Sequence, residues 1–163
     1  MRVVSFSGPS NSGKTTLIEK IVKELISSFS ITVVKNDPSD KSRLDEEGKD
    51  SYRFYQAGAD VILTSPKKTA YFFHSRTSIF DIINSCKSDF LFIEGYKHLD
   101  IPRVVVFRKF IDESYFKFAS VFAVKDVDTS KLDKEVYNLD DVNSIIEWIL
   151  KLKEYKWQKL LTQ

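Results

Sequence analysis

The residues best suited to chemistry lie near the start of the chain. They are Gly8, Pro9, Ser10, Asn11, Ser12, Gly13, Lys14 and Thr15, which fit the pattern G-x-x-x-x-G-K-[ST]. A loop of this kind wraps its backbone N–H groups around phosphate oxygens, and its glycines allow the unusual backbone angles and close approach that this needs. The helix that follows aims its unpaired N–H groups and positive dipole end at the anion. Lys14 is placed to reach the β- and γ-phosphates, the Thr15 hydroxyl to bind Mg²⁺, and Thr16 to bond the α-phosphate.

A second group of residues fits the same chemistry. The apolar run Phe90-Leu91-Phe92-Ile93 ends in Glu94 and Gly95, and a carboxylate at the end of a buried strand is how a phosphate-loop protein holds Mg²⁺ or its water. Aspartate is usual there, so the longer Glu94 is expected to reach the metal through water. Between Lys35 and Asp50 lies a polar stretch with Pro38 and Gly48, read as a long loop. Asp45 and Asp50 are its candidates for contact with the γ-phosphate through Mg²⁺, which makes Asp45 both a metal and a catalytic candidate beside Lys14. A solvated acidic loop is the competing reading, and Asp50 or Ser51 also suits a helix cap.

Hydrophobic periodicity defines the elements that must position these groups. Val3 to Phe6 reads as a buried strand, and Leu17, Ile18, Ile21, Val22 and Leu25 as the apolar face of a helix opening at Lys14. Further strands are expected at 31–34, 59–63, 69–73, 90–93, 104–107 and 121–124. Helices are expected through Phe54 to Ala57, over 77–86, and along the stripe Val142, Ile145, Ile146, Ile149 and Leu152. Strands alternating with helices predict an α/β fold: a three-layer P-loop NTPase fold with a mostly parallel sheet flanked by helices. No linker is evident, so residues 1–163 read as a single nucleotide-binding domain.

Bulk composition narrows the classes. The chain has 163 residues, 42% hydrophobic and 29% charged, which suits an ordinary globular domain. A net charge of +2 gives no reason to expect a nucleic-acid partner. With one cysteine, Cys86, there is no internal disulfide, and a cysteine-based metal site is not expected. No apolar run approaches the roughly 20 residues of a membrane span, so no membrane role and a cytoplasmic location are expected.

Certain strings carry a family resemblance. Gly48-Lys49-Asp50-Ser51, Arg53-Phe54 and Ala57-Gly58-Ala59, with Asp45 ahead of them, are followed by Ile93-Glu94-Gly95-Tyr96-Lys97 and Pro102-Arg103. In order and spacing this chain resembles MobB, the molybdopterin-guanine dinucleotide biosynthesis adapter family, over roughly residues 1 to 108. The resemblance implies GTP bound with Mg²⁺, weak GTPase activity and a homodimer. It also implies a partner in the MobA-like molybdopterin guanylyltransferase, which joins GMP to molybdopterin. By resemblance Lys14, Thr15 and Glu94 take nucleotide and metal roles, Asp45, Lys49 and Asp50 fall at family loop positions, and Lys97 is placed to contact phosphate or cofactor. The family's histidine-rich string after the second strand is here Lys35-Asn36-Asp37-Pro38, and the histidines are His74 and His98.

The base is less marked. Val124-Lys125-Asp126-Val127-Asp128 is an incomplete guanine-reading string in which Asp126 is the candidate acceptor, so the choice of GTP over ATP comes mostly from the resemblance. A small-molecule kinase using ATP is the rival reading, with Arg108-Lys109 as a thin basic cluster. A module whose nucleotide is purely structural is the third. The tail from Lys151 to Gln163, with Trp157, Leu160 and Leu161, reads as a helix extension lying either against a second subunit or partner or along its own domain.

Overall fold

The computed structural model describes residues 1–42 and 45–155. Trp157, Leu160 and Leu161 lie outside the described residues. The chain divides into two compact units, one of residues 1–36 with 86–163 and one of residues 37–85.

The first unit is built on a six-stranded sheet. Its strands are β1 (Arg2–Ser7), β2 (Ile31–Lys35), β5 (Phe90–Glu94), β6 (Arg103–Arg108), β7 (Val121–Lys125) and β8 (Val136–Asn138), in the order β2-β5-β1-β6-β7-β8. Every pairing is parallel, as the alternation of strands and helices predicts. The short β8 has no counterpart in the sequence reading, because three residues show no usable periodicity.

Parallel strands must be covered on both faces. On one face α1 (Lys14–Leu25) buries Leu17, Ile18, Ile21 and Leu25, and α4 (Val142–Lys151) buries Ile145, Ile146 and Ile149. Both pack on Val4, Phe6, Phe90, Phe92, Val104 and Val106. On the other face Val105, Phe107, Phe122 and Val124 are covered by Ile111, Tyr115 and Phe116, the last two in a 3-10 helix over Glu113–Phe118. Each fully buried side chain of this kind contributes about 1.5–3 kcal/mol of burial. Phe6, Phe90, Phe92, Phe107 and Phe122 are buried core, with Phe107 stacked on Phe122 at ring centroids 5.8 Å apart, whereas Phe54, Phe73, Phe80 and Phe110 are exposed.

Chain order reverses about β1, which lies between β5 and β6. In an open parallel sheet, ligands bind beyond the carboxyl ends of strands at such a switch point. β1 ends where the glycine loop begins, β5 ends at Glu94, β6 at Arg108 and β7 at Lys125. The topology therefore gathers the chemistry-bearing residues of this unit at one end of the sheet.

The second unit holds α2 (Asp50–Gln56), the antiparallel hairpin of β3 (Val61–Thr64) and β4 (Thr69–Phe72), and α3 (Ile79–Ser85). Lys49 is the N-cap of α2, a place expected for Asp50 or Ser51. Asp50 is the first helical residue, where its charge complements the positive helix end. Gly58 follows the helix at a φ of 99°, in the left-handed backbone region that favours glycine.

A phosphate cradle as the candidate functional site

β1 leads directly into the loop Gly8–Gly13 and so into α1, the strand-loop-helix context that the glycine-lysine pattern needs. Gly8 has a φ of 140°, and a Cβ there would lie 2.2 Å from the Val106 carbonyl oxygen, so no side chain fits. Gly13 caps α1 in the left-handed conformation at a φ of 97°. Asn11 also takes a positive φ, 60°. Ser12 is buried, and its Oγ finds no hydrogen-bond partner among the described residues. A tight glycine turn with an unpaired buried hydroxyl beside a helix start fits an anion that accepts hydrogen bonds.

The Lys14 ammonium donates to the carbonyls of Gly8 at 3.1 Å and Pro9 at 2.6 Å, lying across the loop. Burial pushes it below the ordinary lysine range, Glu94 pulls it back up, and Lys35 adds to the lowering. Thr15 Oγ1 donates to Glu94, 3.2 Å from Oε1 and 3.3 Å from Oε2. Ser10, Asn11, Lys14, Thr15, Glu94 and Arg108 share a pocket of about 440 Å³ with Gly13 and Thr16. The sheet thus brings Glu94 to the cradle from 79 residues away.

Glu94 is held by its own turn. Gly95 N donates to the Phe6 carbonyl at 3.0 Å, and Ser5 Oγ donates to the Gly95 carbonyl at 3.1 Å. Arg103, only 2% exposed, donates from Nε to Ser5 Oγ at 3.1 Å and from Nη2 to the carbonyls of Tyr96 (3.1 Å) and Leu99 (2.8 Å). Its Nη1 reaches the Phe118 carbonyl at 3.2 Å. The guanidinium is buried because the fork of donors is filled by carbonyls and one hydroxyl. Sequence reasoning noted Arg103 only as part of a string.

Mg²⁺ takes few oxygens from protein when it travels with nucleotide phosphates, keeping waters and phosphate ligands for the rest. The Thr15 hydroxyl and the Glu94 carboxylate, side by side at the phosphate cradle, are a donor set of that kind.

A family model described as "MobB: Molybdopterin guanine dinucleotide synthesis protein B" matches residues 3–127. The chain belongs to the MobB family. The putative molybdopterin-guanine dinucleotide biosynthesis adapter protein of Methanocaldococcus jannaschii is 31% identical over 153 residues, 90% of this chain; the chain spans 61% of that relative's length. The adapter protein of Escherichia coli is 27% identical over 165 residues, covering 91% of this chain and 94% of its own. A crystal structure titled molybdopterin-guanine biosynthesis protein B superposes with a TM-score of 0.71 at 28% identity, covering 93% of this chain and 99% of that one. Bacillus subtilis MobB shares the fold, with a TM-score of 0.76 at 22% identity over 95% of this chain and all of its own, 100%.

The other residues with expected roles in this MobB family member divide between the two units. In the first unit, the Lys97 ammonium lies 5.4 Å from the centre of the Tyr115 ring, and Lys97 is not among the residues lining the cradle pocket. Asp126 is exposed, has a φ of 57°, and lines a separate pocket of about 430 Å³ with Val124, Lys125, Asn138 and Asp140. His98 packs edge-on against Phe118.

In the second unit, Asp45 accepts from the Glu46 amide at 2.9 Å and from Ser51 Oγ at 3.1 Å. Lys49 lies 3.8 Å from Glu46, and Asp50 lies 3.8 Å from Arg53. All of these contacts are local. His74 stacks on Tyr55 with centroids 3.9 Å apart, a structural use of the imidazole. Among the residues near the cradle, Asp140 was missed by sequence reasoning. It follows the three-residue β8, which gives no periodic signal.

Proposed function

We propose that this chain binds GTP with Mg²⁺ and hydrolyses it slowly, acting as an adapter in molybdopterin guanine dinucleotide biosynthesis. The observation that carries the reading is the Thr15–Glu94 pair beside Lys14 in the cradle pocket, in a chain of the MobB family. In the bound state the loop amides and the α1 terminus hold the phosphates, and Lys14 balances charge on the β- and γ-phosphates. Thr15 and Glu94 would hold Mg²⁺, which would supply charge neutralisation for the phosphates. Asp45 and its loop, by this reading, report the nucleotide state to a MobA-like guanylyltransferase.

Homodimer formation is part of the proposal. Ile62 and Tyr71 are register partners across the β3–β4 hairpin and are 57% and 62% exposed, an apolar pair suited to a second copy. Light scattering on the purified chain tests this, and a monomer at micromolar concentration would rule it out.

Calorimetric titration of GTP and ATP, with and without Mg²⁺, tests the nucleotide reading, with Lys14→Ala as control. Mg²⁺-dependent GTP binding that the substitution abolishes supports it. A preference for ATP, with phosphoryl transfer to a small acceptor, transfers the case to the kinase reading, which Arg108 in the cradle pocket favours. Adding the chain to a guanylyltransferase reaction should raise the dinucleotide yield. An unchanged yield, with competent GTP binding, removes the adapter role.

A further inference from the structure

The cradle pocket continues into a second cavity of about 140 Å³. The two share Gly13, Thr16 and Arg108, so the second cavity lies within reach of a molecule whose phosphates sit at Lys14 and Thr15. Leu17 and Leu139 give that cavity an apolar lining suited to a flat ring, and Lys125 and Asp140 also line it. Asp140 carries the only carboxylate of the lining, whereas Asp126 lines only the neighbouring pocket.

We propose that Asp140, rather than Asp126, reads the base of the bound nucleotide and selects guanine, with Lys125 positioning it. This inference rests on the nucleotide-binding reading above. Lys125 Nζ lies 2.5 Å from Asp140 Oδ2, while Asn138 Oδ1 accepts from the Asp140 amide at 2.9 Å. Leu139 N donates to the Val124 carbonyl at 2.8 Å, which ties this loop to the end of β7. Oδ1 of Asp140 makes no hydrogen bond among the described residues and the side chain is 56% exposed, so an oxygen is available to a ligand.

The charge state decides the selectivity. The Lys125 hydrogen bond holds the Asp140 carboxyl below the usual carboxylate range, with smaller contributions from the charges of Lys125, Lys20 and Arg108. An ionised carboxylate only accepts hydrogen bonds. Guanine offers two donors on one edge, N1–H and the N2 amine. Adenine offers a bare N1 acceptor there, which an anion repels. A two-point contact of this kind discriminates by about 5- to 150-fold.

Calorimetric titration of the full chain and its Asp140→Asn and Asp126→Asn variants with GTP, ATP and xanthosine triphosphate tests the proposal. An amide accepts from xanthine N1–H and donates to its O2, where a carboxylate is repelled. The expected result is about 5- to 150-fold weaker GTP binding by D140N together with new binding of the xanthine nucleotide. That gain cannot come from a misfolded sample. Xanthine binding acquired by D126N instead, or wild-type GTP affinity in D140N, overturns the assignment. An unmodified chain that prefers ATP overturns guanine selection while leaving the cradle intact. A folded chain that binds none of the three removes the cradle reading itself, and this inference with it.

Discussion

Thr15 Oγ1 lies 3.2 Å from one Glu94 carboxylate oxygen and 3.3 Å from the other, joining the first turn of α1 to the end of β5. The register places Glu94 beside Phe6, the residue next to the last of β1, so the carboxylate rises where the glycine loop departs. Glu94→Gln keeps the size and can still accept from Thr15, but it loses the charge. We expect Mg²⁺ affinity of the nucleotide complex to fall about 10- to 100-fold, with Mg²⁺-free GTP binding nearly unchanged. Titrations across a range of Mg²⁺ concentrations separate the two effects. An equal loss in both would show that Glu94 acts on the loop and not on the metal.

The glycine at the mouth of the loop has no room for a side chain. Gly8→Ala puts a methyl 2.2 Å from the Val106 carbonyl oxygen, at a φ of 140°. The backbone conformation alone costs about 1–3 kcal/mol, and the clash moves the loop further. Gly13→Ala meets only Leu139, at 3.4 Å, so its cost is mainly that of its positive φ. Urea denaturation should rank Gly8→Ala as clearly more damaging. A reversed order would contradict the close approach of the loop to β6.

Arg103 braces the turn that carries Glu94. Arg103→Met fills similar volume but strips the donors from Ser5 Oγ and the carbonyls of Tyr96, Leu99 and Phe118. A hydrogen bond from a charged group contributes about 1.5–3 kcal/mol, so losing this fork should cost several kcal/mol by chemical denaturation. Arg103→Lys, with fewer and differently aimed donors, should recover only part of it. Stability within about 0.5 kcal/mol of the parent would mean that the turn finds other donors.

On the proposed nucleotide reading, Lys14 is expected to set an alkaline limit on phosphate binding. Its pKa is lowered from the ordinary 10.5, chiefly by burial. Between that depressed value and 10.5 the folded chain holds this proton less tightly than the unfolded chain, so losing it favours folding as pH rises through the window. Phosphate affinity should move the opposite way, because an anion in the cradle would need the cation. Binding of inorganic tripolyphosphate without Mg²⁺, a probe with no base to titrate, should weaken across the window. Lys14→Arg should flatten the profile, since arginine stays charged. A flat profile in the parent chain would remove Lys14 from the phosphate contacts.

Local features were readable without a fold. The cradle is contiguous, so its glycine spacing, its lysine and its hydroxyl all appear in one window, and the apolar periodicity of α1 and α4 marks the faces that meet the sheet. The continuous apolar runs of β5, β6 and β7 announced strands covered on both sides, and their pairings are parallel. The early α2 cap was misplaced by a residue because several polar residues there suit a cap about equally well.

What the sequence by itself determined is therefore the chemistry that depends on near neighbours in the chain: a phosphate loop, an acidic strand end, an α/β alternation and the strings that mark the family. Which distant groups meet was decided only by the tertiary structure. Strand order and register bring Glu94 onto Thr15 and thread the Arg103 fork through the Glu94 turn. The same topology places Asp140, after a strand too short to announce itself, in the cavity that adjoins the cradle. The physical reason is that these contacts are closed by sheet pairing between segments far apart in the chain, and the apolar runs that announce the strands do not state their order in the sheet.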